Sequence, residues 1–134
     1  MDSAGLEVLS EEECLRLLTK VPVGRIVYTD RALPAIQPVN FVVDGHTVVI
    51  RTAQRSRLAV AATGTVVAFE VDEFTDGPDR TGWSVVAVGR AGEVPPEDLP
   101  AVQRLGLRPW VPGTRDYYLR VTVEVISGRR LVTR

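Results

Sequence analysis

Six stretches rich in β-branched residues follow one another along this chain, and they limit its possible folds more than any other feature. They occupy residues 23–29, 35–43, 46–52, 65–74, 83–94 and 117–127. Valine, which favours extended strands, supplies 23 of the 134 residues. Helical patterns are few and short, so strands follow strands instead of alternating with helices as in βαβ proteins. The pattern predicts one domain over residues 1–134, of the α+β class and mainly β, built as an antiparallel barrel or sandwich of six strands.

Three short helical patterns accompany the strands. Ser10 and Glu13 form a capping box at the start of the first helix, which we expect at residues 10–20. An alanine-rich segment at residues 58–62 predicts a second helix. Pro95 opens a third helix that ends near residue 105.

Prolines, glycines and a turn signal locate irregularities in the strands. Pro38 lies inside the second strand and cannot donate a ladder hydrogen bond, so it indicates an edge or a bulge. Asp44 and Gly45 predict a hairpin between the second and third strands. Gly89 and Gly92 lie inside the fifth strand and predict bulges or a tight bend, as at the corner of a barrel.

Charge and composition exclude several classes of protein. The 16 basic and 17 acidic residues give a net charge of −1, without the basic excess typical of nucleic-acid binders. The longest apolar run is far shorter than the about 20 residues that a membrane span needs. The first residues lack the pattern of a secretory signal, so we expect a cytoplasmic protein. Cys14 and His46 are single residues of their kind, too few for a disulfide or a Cys- or His-rich metal site, and we expect no metal.

The densest cluster of polar residues lies where the third strand meets the second helix. It brings Arg51, Thr52, Arg55, Ser56 and Arg57 into seven positions. Arginine offers paired donors that match phosphate oxygens, and hydroxyl groups and the free N–H groups of a helix start add further donors. The spacing therefore predicts a phosphate-binding site. The alternative is a solvated basic turn in which Ser56 only caps the helix.

Three other features are candidates for contact with a planar ligand. Pro38, Val39 and Asn40 combine an unpaired strand position with a polar side chain that could read the edge of a heterocycle, or else they protect a strand edge. Trp83 starts the fifth strand, where it stacks on a ligand, packs at a subunit interface or fills the core. Trp110 lies in a proline-rich loop and covers either a pocket or the end of the barrel.

Taken in order, these segments resemble the pyridoxamine 5′-phosphate oxidase-like family of flavin-binding split β-barrels, and within it the nitroimidazole-reductase-like subgroup. The resemblance covers residues 9–131 and is carried by an ordered series of short matches, not by one motif. The matching segments are Val23-Gly24-Arg25-Ile26, Pro38-Val39-Asn40-Phe41, Asp44-Gly45, Arg51-Thr52, Ser56-Arg57-Leu58, residues 67–72, Gly82-Trp83-Ser84-Val85 and Val88-Gly89-Arg90-Ala91.

The resemblance implies a six-stranded antiparallel split β-barrel with Greek-key character. It also implies a homodimer with two cofactor sites at the interface, usually for FMN. The strand of Pro38, Val39 and Asn40 would lie along the isoalloxazine ring of the flavin. The segment from Arg51 to Arg57 would hold the ribityl phosphate, although many family members have Lys where Arg57 stands.

The resemblance assigns further contacts to two other segments. Trp83 and Ser84 would approach the flavin, often from the partner subunit. Trp110 is a looser match that would add a contact from across the same interface.

The expected function is a flavin-dependent oxidoreductase, specifically a reductase of small planar organic substrates that stack on the flavin. The sequence shows no obvious acid/base pair, so no catalytic residue is assigned. Three alternatives remain open, one of which is a cofactor-free barrel that serves as an interaction module. Related proteins use the deazaflavin F420, whose acidic tail Arg31, Arg55 and Arg57 could bind, or they bind flavin or haem without turnover. The longer C-terminal elements of true pyridoxamine phosphate oxidases are missing, so we do not expect pyridoxamine phosphate as the substrate.

Overall fold

Strands dominate the chain in a computed structural model that describes residues 5–78, 80–108 and 116–131. The strands are β1 (Glu7–Val8), β2 (Val23–Asp30), β3 (Leu33–Asp44), β4 (Thr47–Ala53), β5 (Val66–Thr75), β6 (Thr81–Glu93) and β7 (Asp116–Leu131). The helices are α1 (Glu11–Leu18), α2 (Arg57–Ala62) and α3 (Leu99–Gln103), the last preceded by a 3₁₀ turn at Pro96–Asp98. The predicted mainly β fold is confirmed, with a first helix shorter than expected and a last strand that continues to Leu131.

Six strands close into a ring in the order β7, β4, β3, β2, β5, β6, and β6 pairs back onto β7. All pairings are antiparallel, as predicted. The short β1 lies outside the ring on β7. The connection from β4 through α2 returns the chain to β5, which lies beside β2 and not beside β4, so the ring has Greek-key character. Within the described residues, no helix has the length and apolar character to span a membrane.

Alternating apolar side chains fill the ring. Ile26, Ile50 and Phe69 are fully buried, and the rings of Phe41 and Phe69 meet edge to face with centroids 4.7 Å apart. Helix α1 packs on β7 and β6, while α2 packs on β2 and β4. A second, smaller apolar cluster lies where α3 and the segment after it cover β4 and β7; its buried members are Val49, Val94, Val102, Leu107 and Tyr118.

A bulge in β7, at Glu124, lies opposite Gly89 of β6. The register of β6 against β7 shifts between Val88 and Gly89, which confirms a bulge there. A Cβ atom on Gly89 would lie 1.8 Å from the carbonyl oxygen of Thr122, so only glycine fits. Gly92 instead pairs in register with Arg120, and the bulge is confined to the position opposite Gly89.

Two tight hairpins join β2, β3 and β4. The predicted turn after Asp44 is confirmed, with Gly45 at φ +61°. No comparable sequence signal predicts the β2–β3 turn, where Arg31 and Ala32 have φ values of +54° and +66°. Residues other than glycine cost about 1–3 kcal/mol each in such sparsely populated conformations. The long pairing of β2 with β3 holds this turn in place.

Candidate cofactor site at the split between β3 and β4

The ring is split along part of β3. Strand β3 pairs with β2 from Leu33 to Asn40, but with β4 only from Phe41 to Asp44. The end of β4 beyond Ile50 pairs with β7 alone. One side of β3 before Phe41 therefore has no strand neighbour.

Pro38, Val39 and Asn40 line the β3 side of this split, and the expected edge at Pro38 is confirmed. Val39 and Phe41 are buried inside the ring, so Asn40 between them points to the outer face, where it is partly exposed. This edge offers an extended backbone and one amide side chain to a flat ligand.

The other side of the split carries the hydroxyl groups of the predicted phosphate site. The Thr52 hydroxyl donates to Oγ of Ser56 at 3.1 Å. The same Ser56 oxygen accepts the backbone N–H of Ala59 at 3.0 Å, which makes Ser56 the N-cap of α2. Both hydroxyl groups are partly buried. Ser56 thus performs the capping role of the alternative interpretation, and it fixes the start of α2 beside the split.

Arg57 follows directly and forms a bidentate ion pair with Asp30 at the end of β2. Its Nε lies 3.1 Å from Oδ2, and its Nη2 donates to Oδ1. The hydrogen bonds from Arg57 hold the pKa of Asp30 below its usual range, and Asp30 in turn raises the pKa of Arg57. Asp30 engages one edge of the guanidinium, and the opposite edge keeps three N–H groups for another acceptor. About half of the Arg57 side chain is exposed.

Arg51 does not join this group. It points to the opposite face of β4 from Thr52, where its Nη1 donates to the carbonyl oxygen of Leu107 at 2.9 Å. Its guanidinium also lies 5.6 Å from the ring centroid of Tyr118. Arg51 therefore shares the outer face with Asn40 and is separated from the hydroxyl groups of Thr52 and Ser56.

Two further arginines flank Arg57. Arg55 lies in the turn before α2, and Arg31 lies in the β2–β3 turn next to Asp30; both are exposed. Neither has a hydrogen-bond or ion-pair partner among the described residues. The immediate surroundings of Asp30 thus carry a positive excess, although the whole chain has a net charge of −1. In the described parts of the chain, no group of three His, Cys, Asp or Glu side chains is placed to hold a metal ion.

Comparison with known proteins identifies the family. A family model described as pyridoxamine 5′-phosphate oxidase matches residues 10–130. The chain belongs to this family. The resemblance seen in the sequence is therefore confirmed, and the split ring is the family's fold in this chain.

The chain is also similar to two mycobacterial proteins and, more distantly, to a third whose structure is solved. The uncharacterised protein Rv0080 of Mycobacterium tuberculosis is 45% identical over 131 residues, which cover 92% of this chain and 84% of that protein. The FAD binding protein of Mycobacterium smegmatis is 39% identical with a TM-score of 0.80, over 94% of this chain and all of that one. The FAD and haem binding protein of M. smegmatis is 15% identical with a TM-score of 0.72, over 90% of this chain and 70% of that one, and shows the shared fold alone. Flavin-binding proteins thus occur among the chain's structural neighbours.

Two other predicted cofactor residues lie away from the split within one protomer. Trp83 is buried in the ring and belongs to its core. Ser84 points to the outer face of β6, three strands from β3, a distance of about 14 Å at the usual strand spacing. Ser84 therefore lies away from the β3 edge within one protomer. Trp110 lies outside the described residues.

Sequence reasoning missed two acidic residues. The sequence carries no local signal for the role of Asp30, because its partner Arg57 stands 27 residues further along the chain. Glu70 forms part of a charged cluster with Arg25 and Asp72 on the outer face of the ring. The pairing of β2 with β5 that brings Arg25 beside Glu70 has no local signal in the sequence.

Proposed function

We propose that this chain is an oxidoreductase that binds FMN at the split between β3 and β4 and reduces small planar organic substrates. The observation that carries the proposal is the unpaired strand edge at Pro38–Asn40, on the other side of which β4 ends and α2 begins with the Thr52, Ser56 and Arg57 side chains. The similarity to a FAD binding protein at 39% identity supports a flavin as the ligand class.

The residues around the split fit a flavin phosphate. The free edge of the Arg57 guanidinium offers three N–H groups to phosphate oxygens, while Asp30 fixes the orientation of the group. The Thr52 and Ser56 hydroxyls lie beside it, held in place by each other and by the start of α2. The role of this chain's residues is therefore to bind and orient the ligand by its phosphate.

The ring system of the flavin fits the β3 edge. A flat heterocycle can lie along the extended backbone at Pro38 and Val39, and the outward amide of Asn40 can hydrogen-bond to its polar edge. Bound flavin supplies hydride transfer. The residues of the split bind and orient it, and its outer side faces an open surface to which a planar substrate has access.

We also propose that two copies of the chain pair through the outer face of the ring. A row of apolar residues crosses five neighbouring strands on that face, and each member lies directly opposite the next: Ile36, Val27, Ala68, Val88 and Val125. The ends of the row are widely exposed, at 65% for Ile36 and 62% for Val125. Charges of both signs border the row, which makes the face complementary to a second copy of itself.

Pairing of two copies also offers an explanation for Ser84, which lies away from the split in its own protomer. Ser84 lies on the same outer face as the apolar row, so docking of a partner there brings Ser84 of that partner toward the split.

A second candidate ligand is the deazaflavin F420. The observation that favours it is the pair of exposed arginines, Arg31 and Arg55, beside the proposed phosphate site, because an acidic tail needs cations beyond those that bind the first phosphate.

Binding titrations of the purified chain with riboflavin, FMN, FAD and F420 separate these ligands. Binding of FMN well above riboflavin supports the phosphate site. Exclusive binding of F420 would favour the second candidate, and absence of flavin binding would refute the proposed function.

A further inference from the structure

A cluster of three charged residues lies on the outer face of the ring, beside the apolar row that we propose as the contact with a second copy. Nη1 of Arg25 lies 3.1 Å from Oε1 of Glu70 and 3.2 Å from Oδ2 of Asp72. Arg25 stands on β2, and the two carboxylates stand two residues apart on the same side of β5. One guanidinium is thus shared between two carboxylates.

Arg25 is the cation in direct contact with both carboxylates. The β3 neighbour of Arg25 is Pro38, and the β6 neighbours of Glu70 and Asp72 are Val86 and Ser84, all without charge. Arg129 on β7 is the next charged residue, beyond Ser84. With all groups ionised, the cluster of Arg25, Glu70 and Asp72 carries a net charge of −1.

Glu70 is the member of the cluster that gains or loses a proton near neutral pH. Its burial and its contact with Asp72 raise the pKa of the Glu70 carboxyl to about 7, although Arg25 opposes the shift. The side chains of Glu70 and Asp72 are only 25% and 28% exposed. Protonation of Glu70 makes the cluster neutral and lets the two carboxyl groups share a proton.

The cluster and the apolar row are direct neighbours. Arg25 is two residues from Val27 on β2, and Glu70 is two residues from Ala68 on β5, so each pair points to the same face. A second copy that covers the row therefore also removes water from the cluster. Removal of water disfavours the charged form of the carboxyl and raises its pKa further.

We propose that pairing of two copies through this face is coupled to uptake of a proton at the Arg25–Glu70–Asp72 cluster of each copy. The inference rests on the pairing in the proposed function and adds its regulation by pH. Because the paired state binds more protons than the separate copies, association strengthens as pH falls through neutrality and weakens as pH rises.

Sedimentation velocity over a dilution series, at several values between pH 6.0 and pH 8.5, measures this coupling without any ligand. Each copy can take up at most one proton, so the dissociation constant can rise by up to about 100-fold per pH unit, and we expect a rise of at least about tenfold over the range. Glu70→Gln, which is neutral at every pH, should pair tightly with a dissociation constant that no longer depends on pH.

A second variant gives a result that a merely structural role would not produce. Asp72→Asn leaves Glu70 alone with Arg25, so the pH at which pairing weakens should move downward. Two control variants should keep the wild-type dependence: Glu97→Gln, an exposed glutamate on the turn before α3, and His46→Gln, at the chain's single histidine.

Three outcomes would overturn the inference. A pair whose dissociation constant does not change between pH 6.0 and 8.5 removes the coupling but leaves pairing intact. If the dissociation constant of Glu70→Gln keeps the wild-type dependence on pH, the proton is taken up by another group. A chain that stays monomeric at every pH contradicts the pairing itself. The FMN titration tests the proposed flavin site separately from the pairing and the proton uptake.

Discussion

Asp30 and Arg57 stand 27 residues apart and meet as a bidentate ion pair where β2 ends and α2 begins. The pair occupies one edge of the Arg57 guanidinium and leaves its remaining N–H groups available to another acceptor, which we propose is the phosphate. Two left-handed residues, Arg31 and Ala32, follow Asp30 and return the chain into β3. The turn that positions Asp30 is therefore itself part of the architecture of the site.

Asp30→Ala should weaken FMN binding, even though it removes a negative charge from the neighbourhood of a phosphate. Without its partner, Arg57 must lose side-chain freedom on binding, a cost of about 0.5–1.5 kcal/mol. Fluorescence titration with FMN measures the change, and riboflavin serves as the control ligand that lacks the phosphate. Tighter FMN binding in this variant would mean that Asp30 competes with the phosphate and does not position Arg57.

Gly89→Ala should destabilise the fold, whereas Gly92→Ala should not. A Cβ atom at Gly89 meets the backbone of Thr122 at 1.8 Å, and one at Gly92 has no atom within 4 Å. Overpacking against rigid backbone costs about 1–3 kcal/mol or more. Urea unfolding of both variants against the wild type gives the comparison. Equal stabilities of the two would show that the bulge of β7 opposite Gly89 does not require a glycine there.

Glu13 should make the fold sensitive to acid. Hydrogen bonds from Arg16 and Arg130 lower the pKa of Glu13 from 4.5 to about 2. A carboxyl with a lowered pKa stabilises the folded state at pH values above its unfolded-state pKa, and that stabilisation disappears as pH falls through about 2. Urea midpoints at pH 6 and pH 2.5 should therefore differ less in Glu13→Gln than in the wild type. An unchanged difference would exclude Glu13 as a contributor.

Ile36→Asp should separate paired copies without unfolding the chain. Ile36 begins the apolar row and is 65% exposed, so its replacement removes little from the core of one protomer but places a charge in the proposed interface. Size-exclusion chromatography with light scattering reports the mass. Val8→Asp, an equally simple change at a residue 52% exposed on β1, is the control that should keep the wild-type mass. If both variants are monomeric, or if neither is, the apolar row is not the contact between the two copies.

The strand pattern predicted most of this fold because each strand has a local signal. The β-branched runs predicted the strands, Pro38 predicted the split edge, and Asp44–Gly45 predicted one hairpin. Gly89 indicated the position of the bulge. The turn at Arg31–Ala32 escaped prediction because neither residue favours the left-handed conformation that the pairing of its flanking strands enforces.

The site was predictable only in part, for a related reason. Ser56 and Arg57 could be predicted as site residues from their residue types, and Pro38 indicated the strand edge on the other side of the split. Arg51 seemed to belong with them by spacing, but strand alternation turns it to the opposite face, toward Tyr118. Asp30 depends on a contact between distant segments, which only the assembled ring reveals.

The affinity of FMN relative to riboflavin tests the central claim most directly. The double variant Ser56→Ala/Arg57→Ala should lose about 2–4 kcal/mol of FMN binding, because charge-assisted hydrogen bonds to the phosphate disappear, and should bind riboflavin as the wild type does. Arg80→Ala, at an exposed arginine in the β5–β6 loop, should leave both affinities unchanged. An unaltered FMN affinity in the double variant would contradict the phosphate site at Ser56 and Arg57.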